Sequence, residues 1–87
     1  MNFYYGSVFK TKFKKLVKSN PKLAQKIAKT IREFGTKPNR PSLRLHKLTG
    51  KKFNQWSLSV SKSLRITFVY KGDGILITNF GKHEEVY

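Results

Sequence analysis

The apolar residues in the first half of the chain recur with the period of a helix. An aromatic run at residues 3–5 predicts a short strand, and Gly6 with Ser7 then offers a break and a helix cap. From residue 7 to residue 19 the apolar positions fall at i, i+4, i+7 and i+8, which gathers them on one face of a predicted helix. These positions are Phe9, Phe13, Leu16 and Val17.

A second helix is predicted to begin at Asn20 and Pro21. Asn can cap a helix with its side chain, and Pro at the first helical position gives up an amide that would lack a partner anyway. Gly35 predicts the end of this helix, because glycine readily adopts the left-handed conformation, and the polar, proline-containing segment 36–41 is a predicted linker. The predicted buried stripe is Leu23, Ile27, Ile31 and Phe34.

Beyond the linker the pattern changes to an alternation of period two, which is typical of strands. Neighbouring strands joined by short turns run antiparallel. The predicted fold class is therefore α+β: an N-terminal strand, a helical hairpin, and then a three- to four-stranded antiparallel sheet with both helices on one face. The predicted strands are 43–46, 56–61, 64–70 and 75–80, with a hairpin loop at 71–74.

Alternation along the predicted strands separates two faces of the sheet, because successive side chains point to opposite sides. One set of apolar residues would face the helices, which leaves the other face as a shallow wet groove suited to single-stranded RNA. The predicted helix-facing residues are Leu43, Leu45, Trp56, Leu58, Val60, Ile66 and Phe68. The predicted residues of the open face are Arg44, His46, Ser57, Ser59, Arg65 and Thr67.

The net charge of the chain indicates which class of molecule it binds. The chain of 87 residues carries 19 Lys and Arg against four Asp and Glu, a formal net charge of +15. Such self-repulsion destabilises a compact monomer unless polyanions neutralise it, so a phosphate backbone or an acidic partner protein is expected. The same charge opposes self-association, and we expect a monomer whose affinity for nucleic acid falls with salt.

Composition also excludes several classes of protein. There is no cysteine, and two histidines with four scattered acids do not favour a protein-only zinc site, so no metal or other cofactor is expected. No apolar run approaches the length of a membrane span, and the N-terminus does not resemble a signal peptide. We expect one small domain over residues 1–87 and a cytoplasmic protein.

Four residues could supply the chemistry of RNA cleavage without a metal. Such cleavage needs a base for the 2′-hydroxyl proton, cations that stabilise the charged phosphorane, and an acid for the leaving 5′-oxygen. Histidine suits either proton role, arginine can hold a phosphate with two donors, and tyrosine can donate a proton or stack on a base. The candidates are His46, Arg65, His83 and Tyr87.

Each of these candidates also has a structural interpretation. His46 could simply hydrogen-bond a neighbouring carbonyl or Thr49, His83 could be a solvated residue beyond the last strand, and Tyr87 could pin the end of the chain. Arg65 could pair with Glu84 or Glu85 instead of phosphate. Basic residues near the open face are candidates for RNA binding, although lysines in loops are common. They are Arg44, Lys47, Lys51, Lys52, Lys62 and Lys82.

An ordered set of short motifs resembles the RelE/ParE toxin superfamily, and within it the YafQ-type and RelE/StbE-type toxins. The motifs are Leu45-His46-Lys47-Leu48-Thr49-Gly50, Trp56-Ser57-Leu58, Leu64-Arg65-Ile66 and Gly81-Lys82-His83-Glu84-Glu85-Val86-Tyr87. The resemblance implies a ribosome-dependent mRNA endoribonuclease that is restrained by an acidic antitoxin.

By the same resemblance each candidate acquires a role. His83 would be the main proton-transfer residue, His46 a second proton-transfer or phosphate contact, and Arg65 the cation that stabilises the transition state. Tyr87 would orient or stack the substrate. The YafQ pattern has a further His and Asp around residues 57–63, which this chain lacks, so the proton relay is simpler or catalysis is weaker. A ParE-like gyrase poison and a non-catalytic nucleic-acid-binding module are the alternative functions, because one fold hosts several activities.

Overall fold

A computed structural model describes residues 2–48 and 54–82, and within them two helices pack against one mixed sheet. The strands lie in the order β1-β5-β4-β3-β2. The predicted α+β class is confirmed. The elements are β1 (Asn2–Tyr5), α1 (Ser7–Ser19), α2 (Pro21–Thr36), a 3-10 turn (Pro41–Leu43), β2 (His46–Lys47), β3 (Trp56–Ser59), β4 (Leu64–Lys71) and β5 (Gly74–Lys82).

Strand β1 runs parallel to its neighbour in the sheet, which the reasoning from short turns did not predict. Strands β2 to β5 are antiparallel neighbours, as predicted, but β1 pairs with β5 in parallel. A parallel pair needs a long crossover connection, and here the helical hairpin and three intervening strands provide it. The described sheet therefore has five strands: four antiparallel strands, within the predicted three to four, and the N-terminal strand β1.

The start of α2 follows the predicted capping chemistry. The backbone amide of Leu23 donates to the side-chain oxygen of Asn20 at 3.2 Å, and Pro21 occupies the first turn. The predicted end at Gly35 is wrong, because α2 continues to Thr36. Gly35 lies against the ring of Phe3: a Cβ there would be 2.9 Å from its Cε2 atom, so the ring would have to shift.

Aromatic contacts show that both helices pack on the same sheet face, as predicted. In α1, the ring of Phe9 lies 5.5 Å from that of Phe80, and in α2 the ring of Phe34 lies 5.0 Å from that of Phe68. Val17, predicted to be buried, is 48% exposed. The core cluster comprises Phe9, Ile27, Ile31, Phe34, Leu43, Leu58, Val60, Ile66, Phe68, Ile75, Ile77 and Phe80.

The predicted strand from residue 43 begins too early. Pro41–Leu43 forms a 3-10 turn, and Arg44 has a left-handed backbone with φ of 45°. Regular strand begins only at His46. The alternation that assigned Arg44 to the open face therefore does not apply, because a left-handed residue interrupts the pleat. Leu43 is buried as predicted, but through the turn.

One lysine of α1 has a structural role that its polar position in the helix did not indicate. The ammonium group of Lys12 donates to the side-chain oxygen of Asn79 at 2.9 Å and also to the carbonyl oxygen of Phe80. It lies 4.9 Å from the centre of the Phe80 ring, within the range of a cation–π contact. Lys12 therefore ties α1 to β5.

The turn between β4 and β5 is anchored to β1 through Asp73. Its carboxylate accepts from the side-chain amide of Asn2 at 2.7 Å and from the hydroxyl of Tyr4 at 3.2 Å. The hydrogen bond to Asp73, together with the negative charge of that carboxylate, raises the pKa of Tyr4 above its ordinary value of 10.0. The contact favours the neutral phenol, so its contribution to stability is present below pH 10 and is lost as the pH rises through the raised pKa.

Replacing Gly74 with Ala is expected to weaken the β1–β5 pairing. A Cβ at this position would overlap the carbonyl oxygen of Asn2, the partner of Gly74 in the parallel ladder. We expect a loss of about 1–3 kcal/mol, as for overpacked sites. Urea denaturation and amide exchange of β1 measure the effect.

Gly72→Ala is the matched control, since Gly72 has φ of 54° but no atom within 4 Å of an added Cβ. Backbone strain of about 1–2 kcal/mol is expected there, without faster exchange in β1. Unchanged β1 exchange in Gly74→Ala would contradict the steric argument.

Asp73→Asn is expected to lower the pKa of Tyr4 towards its ordinary value. The substitution removes the negative charge that disfavours the tyrosinate. An NMR titration of the Tyr4 ring carbons measures the midpoint. Glu33→Gln, which removes a carboxylate paired with Arg40 instead, is the control and is expected to leave the midpoint unchanged. Equal midpoints in the wild-type chain and Asp73→Asn would exclude this assignment.

Candidate functional site

Two cross-strand rows define the sheet face that lies opposite the helices. In the first row His46 pairs with Ser57, which pairs in turn with Thr67. In the second row Ser59 pairs with Arg65. Directly opposed residues project from the same face, and so do residues two apart along a strand. The register therefore brings His46 and Arg65 to one face, as the alternation predicted.

A β-bulge adds a hydrogen-bonded network to this face. The register of β4 with β5 shifts between Thr67 and Phe68, which leaves Thr78 as an extra residue. The hydroxyl of Thr78 lies 2.9 Å from that of Thr67 and donates to the side-chain oxygen of Gln55 at 3.0 Å. The surface formed by His46, Gln55, Ser57, Ser59, Arg65, Thr67 and Thr78 is called the polar face below.

Sequence reasoning missed Gln55 and Thr78 as members of the polar face. Strict alternation along β5 would not give Thr78 and the neighbouring Asn79 the positions they have, because the bulge changes the phase of the strand. Gln55 lies two residues before Ser57, so extending the alternation by one step would have placed it on this face. Thr78 carries no such signal, and a pairing register, available only from the folded sheet, is needed to find it.

His46 lies at the exposed edge of the polar face, in the two-residue strand β2. Its Nδ1 atom is 3.5 Å from the hydroxyl oxygen of Ser57, the outer limit for a hydrogen bond. Ser57 itself is fully buried. A buried hydroxyl beneath an exposed imidazole can orient the ring while leaving its edge accessible to a ligand.

Arg65 presents the least satisfied polar group in the described part of the chain. Its Nη1 atom is buried and has no hydrogen-bond partner among the residues that the structure describes. In the ladder Arg65 lies between Ser59 and the buried Gly81, which has no side chain to fill the adjacent space. A buried donor without an acceptor is costly, whereas a phosphate oxygen would satisfy it with a charge-assisted bond.

His46 and Arg65 are close enough to act on one stretch of ligand. They are separated by two strand spacings across the sheet and by two residues along it. This geometry gives about 12 Å between their Cα atoms, from spacings of about 4.8 Å and 3.3 Å. Their long side chains can span most of that distance, so an extended polyanion lying across the rows would meet both.

The polar face is less open than the sequence indicated. Ser57 has no exposed surface and Thr67 is 4% exposed, although both were predicted to line a wet groove. Short hydroxyl side chains lie close to the backbone and bond to their neighbours, whereas His46 projects from the edge. A ligand can therefore reach the longer side chains of this face but not its short hydroxyl side chains.

The predicted RNA-binding residues do not all share the polar face. Lys47 pairs with Trp56 and Lys82 with Leu64, whose side chains pack against the core on the helix side. Lys62 is exposed in the connection between β3 and β4. Arg44 is exposed as well, in the left-handed position before β2. Lys51, Lys52, His83 and Tyr87 lie outside the described residues.

Within residues 2–48 and 54–82 there is no group of three His, Cys, Asp or Glu residues that could hold a metal ion. In the same ranges, neither helix is long and apolar enough to cross a membrane.

Solved toxin structures share this fold over nearly the whole chain. The YoeB/ParE toxin from Agrobacterium tumefaciens aligns with a TM-score of 0.79 and 16% identity, covering 95% of this chain and 99% of its own. A chain of the E. coli DinJ–YafQ complex aligns with a TM-score of 0.78 and 16% identity, covering 99% and 97%. A chain of the YoeB–YefM complex from Staphylococcus aureus gives 0.78 and 15%, covering 95% and 97%.

No protein-family model and no curated protein sequence matches the chain. The structural likeness confirms the RelE-like fold expected from the sequence motifs. At these identities it is the fold that is shared, and function is a separate question.

Thr78→Val is expected to destabilise the chain by about 1 kcal/mol, because it removes hydrogen bonds from the buried hydroxyl of Thr67 and from the half-buried Gln55. The substitution keeps the shape of the side chain but removes the hydroxyl that contacts Thr67 and Gln55. Urea denaturation measures the change. Thr11→Val, at an exposed position of α1, is the matched control, and an equal effect of the two would contradict the proposed network.

Proposed function

We propose that this protein is the toxin of a type II toxin–antitoxin pair, and that it cleaves mRNA on the ribosome without a metal ion. Three similar structures are toxins or chains of complexes named for YafQ and YoeB. The fold likeness, the sequence motifs and the net charge of +15 all support this function.

The observation that carries the proposal is the buried Nη1 of Arg65, which has no hydrogen-bond partner within residues 2–48 and 54–82 and lies on the same face as His46. A folded chain tolerates an unsatisfied donor poorly unless a ligand completes it. Phosphate is the ligand that suits a guanidinium, since its oxygens match the fork of donors. The neighbouring imidazole supplies a group that exchanges protons near neutral pH.

The proposed reaction is attack of the 2′-hydroxyl of RNA on the adjacent phosphorus. A base removes the hydroxyl proton, the P–O5′ bond breaks, and an acid protonates the leaving oxygen, which gives a 2′,3′-cyclic phosphate and a 5′-hydroxyl. His83 and His46 are the proposed proton-transfer residues. Arg65 stabilises the charge that develops on the phosphorane. Tyr87 orients or stacks a base of the substrate.

Basic residues around the sheet are the proposed contacts to the RNA backbone. Lys47 and Lys82 point to the helix side of the sheet and lie near its edges. They would contact flanking phosphates or ribosomal RNA. The proposed contacts are Arg44, Lys47, Lys51, Lys52, Lys62 and Lys82.

An acidic antitoxin is the proposed protein partner, because the described carboxylates are already engaged. Glu33 lies 3.4 Å from Arg40, and Asp73 accepts from Asn2 and Tyr4. Most of the positive charge is therefore unpaired, and complementary charge accelerates association. The complexes of YafQ with DinJ and of YoeB with YefM support a partner of this class. We also propose that the protein is cytoplasmic and that the free toxin is monomeric.

The test is the mapping of 5′ ends on a defined mRNA incubated with programmed ribosomes. We expect wild-type protein to produce new ends in the decoding-site codon, and none without ribosomes. Arg65→Ala is expected to lower the cleavage rate about 100- to 1000-fold, the usual cost of removing a transition-state donor. His83→Ala and His46→Ala are expected to lower it by about 100-fold or more.

Arg32→Ala is the matched control for Arg65→Ala, because it removes the same charge from an exposed position of α2. Its cleavage rate should stay within about twofold of wild type, as for charges that act only at long range. If both variants lose the same fraction of the cleavage rate, Arg65 contributes only through its charge. Intact mRNA with wild-type protein would exclude the nuclease, and a DNA supercoiling assay would then test the gyrase poison.

A further inference from the structure

Gln55 is held at two points at one end of the polar face. The backbone amide of Leu48, which follows β2, donates to the carbonyl oxygen of Gln55 at 2.8 Å. The side-chain oxygen of Gln55, Oε1, accepts from the hydroxyl of Thr78 at 3.0 Å. A side chain that the fold already orders has less conformational freedom to lose when it binds a ligand. Gln55 is half-buried, so this ordered group keeps contact with solvent.

The neighbouring hydroxyl groups determine which atom of the Gln55 amide faces inward. Each hydroxyl has one proton to donate. The hydroxyl oxygens of Thr67 and Thr78 lie 2.9 Å apart, and the carbonyl oxygen of Asn79 lies 3.5 Å from that of Thr67. When Thr67 donates to Thr78 and Thr78 donates to Gln55, both protons are used in contacts of 3.0 Å or less.

The opposite orientation of the amide uses these protons less well. If the amide nitrogen of Gln55 donated to Thr78, the hydroxyl of Thr78 would donate to Thr67. Thr67 would then have only the carbonyl oxygen of Asn79, at 3.5 Å, among the described acceptors. That distance is too long for a good hydrogen bond. The hydroxyl groups therefore keep Oε1 inward and direct the amide nitrogen, Nε2, outward.

The outward Nε2 atom of Gln55 offers two N–H donors and no acceptor. It makes no hydrogen bond within residues 2–48 and 54–82, and it is not among the buried polar atoms there that lack a partner. Water therefore reaches this atom, and a ligand with a suitable acceptor can replace the water.

Gln55 is displaced along the sheet from Arg65. It precedes Ser57 by two residues, and Ser57 precedes Ser59, the partner of Arg65, by two more. Four residues of strand span about 13 Å, at about 3.3 Å per residue. The amide of Gln55 is therefore remote from a phosphate bound to Arg65 and would contact a neighbouring nucleotide instead.

A group that only donates hydrogen bonds distinguishes between bases. Guanine and uracil carry an exocyclic oxygen where adenine and cytosine carry an amino group. An amide N–H bonds to the oxygen, whereas it has no acceptor in the amino group. Proteins read the unpaired bases of single-stranded RNA through such contacts to their edges.

We infer that Gln55 selects the base of one nucleotide beside the cleavage site, and that it favours guanine and uracil over adenine and cytosine. That the ligand is RNA rests on the proposed function, whereas the orientation of the amide does not. Thr78 is a positioning residue, because it acts through Gln55. Contact with a phosphate oxygen in place of a base would give affinity without this preference.

The test measures the cleavage of mRNAs that differ by one base. Each position of the decoding-site codon, and the nucleotide on either side of it, holds U, C, G or A in turn on programmed ribosomes. Mapped 5′ ends give the cleavage rate for each base. At one position we expect wild-type protein to prefer U over C, and G over A, by about three- to tenfold, the effect of one hydrogen bond.

Gln55→Glu is expected to reverse the preference at that position. The carboxylate has the shape of the amide, but its oxygens accept and therefore bond to the amino group of adenine or cytosine. Gln25→Glu adds the same charge at an exposed position of α2 and is the matched control. Its base ratios should equal those of the wild-type protein, because a general change of charge acts on all sequences alike.

A pair of variants at Thr78 tests how Gln55 is positioned. Thr78→Val removes the donor that keeps Oε1 inward, so the amide can turn over and the base ratio should fall towards one. Thr78→Ser keeps the hydroxyl and should keep the ratio. Each ratio is taken within one protein, so a change in overall rate does not affect it. Thermal unfolding verifies that each variant folds.

A binding measurement decides the inference without cleavage. The side-chain amide of Gln55 gives its own signals in ¹⁵N NMR spectra, which are assigned by their absence in Gln55→Glu. Titration with a tetranucleotide of uridine should shift these signals saturably, and a tetranucleotide of cytidine should shift them less. Equal shifts would assign the contact to the phosphate backbone and exclude base selection.

The outcomes separate this inference from the proposed nuclease. Equal wild-type rates for the four bases, an unchanged ratio in Gln55→Glu, or equal changes in Gln55→Glu and Gln25→Glu would overturn base selection while the nuclease stands. An equal ratio in Thr78→Val and wild type would exclude the positioning role of Thr78. Absence of cleavage with every base would exclude the nuclease, and the NMR titration would still decide whether Gln55 distinguishes uracil from cytosine.

Discussion

The pairing of β4 with β5 in the middle of the sheet is the constraint on which the rest of the structure depends. It joins the two longest strands, and its register determines which residues meet the helices and which form the polar face. The two faces then make different contacts. Phe68 and Phe80 pack against the helices, while Arg65 and Thr67 project from the opposite face. A one-residue slip would exchange the two faces, so the aromatic contacts with the helices also protect the site.

The sheet separates two surfaces of different chemistry. On one side, burial of aromatic rings holds the helical hairpin and leaves an apolar cleft between α1 and α2, bordered by Lys10, Lys14 and Arg32. On the other side, hydrogen bonds hold short hydroxyls in place beneath an imidazole and an arginine. Apolar surface suits contact with another protein, whereas a guanidinium nitrogen with no acceptor among the described residues suits phosphate. The cleft and the polar face, which we propose binds RNA, therefore lie on opposite sides of one sheet.

Much of the local structure could be predicted because its causes are local. Asn20 caps α2 through a contact within its first turn, and alternation along the strands brought His46 and Arg65 to one face. The errors arose where tertiary contacts decided the conformation. Helix α2 continues through Gly35, where the ring of Phe3 lies against the helix. In the same way, Lys12 is a structural residue because Asn79 and Phe80 lie across from it.

The sequence by itself determined the net charge, the helical hairpin, the alternating strands and hence the pairing of a polar face with an apolar one. These follow from periodicity and composition, which neighbouring residues specify. Only the tertiary structure decided the parallel pairing of β1 with β5, the bulge that brings Thr78 to Thr67 and Gln55, and the burial of an Arg65 donor that has no partner among the described residues. Each of these depends on register between residues far apart in the chain, and no local pattern encodes which distant backbone a strand will meet.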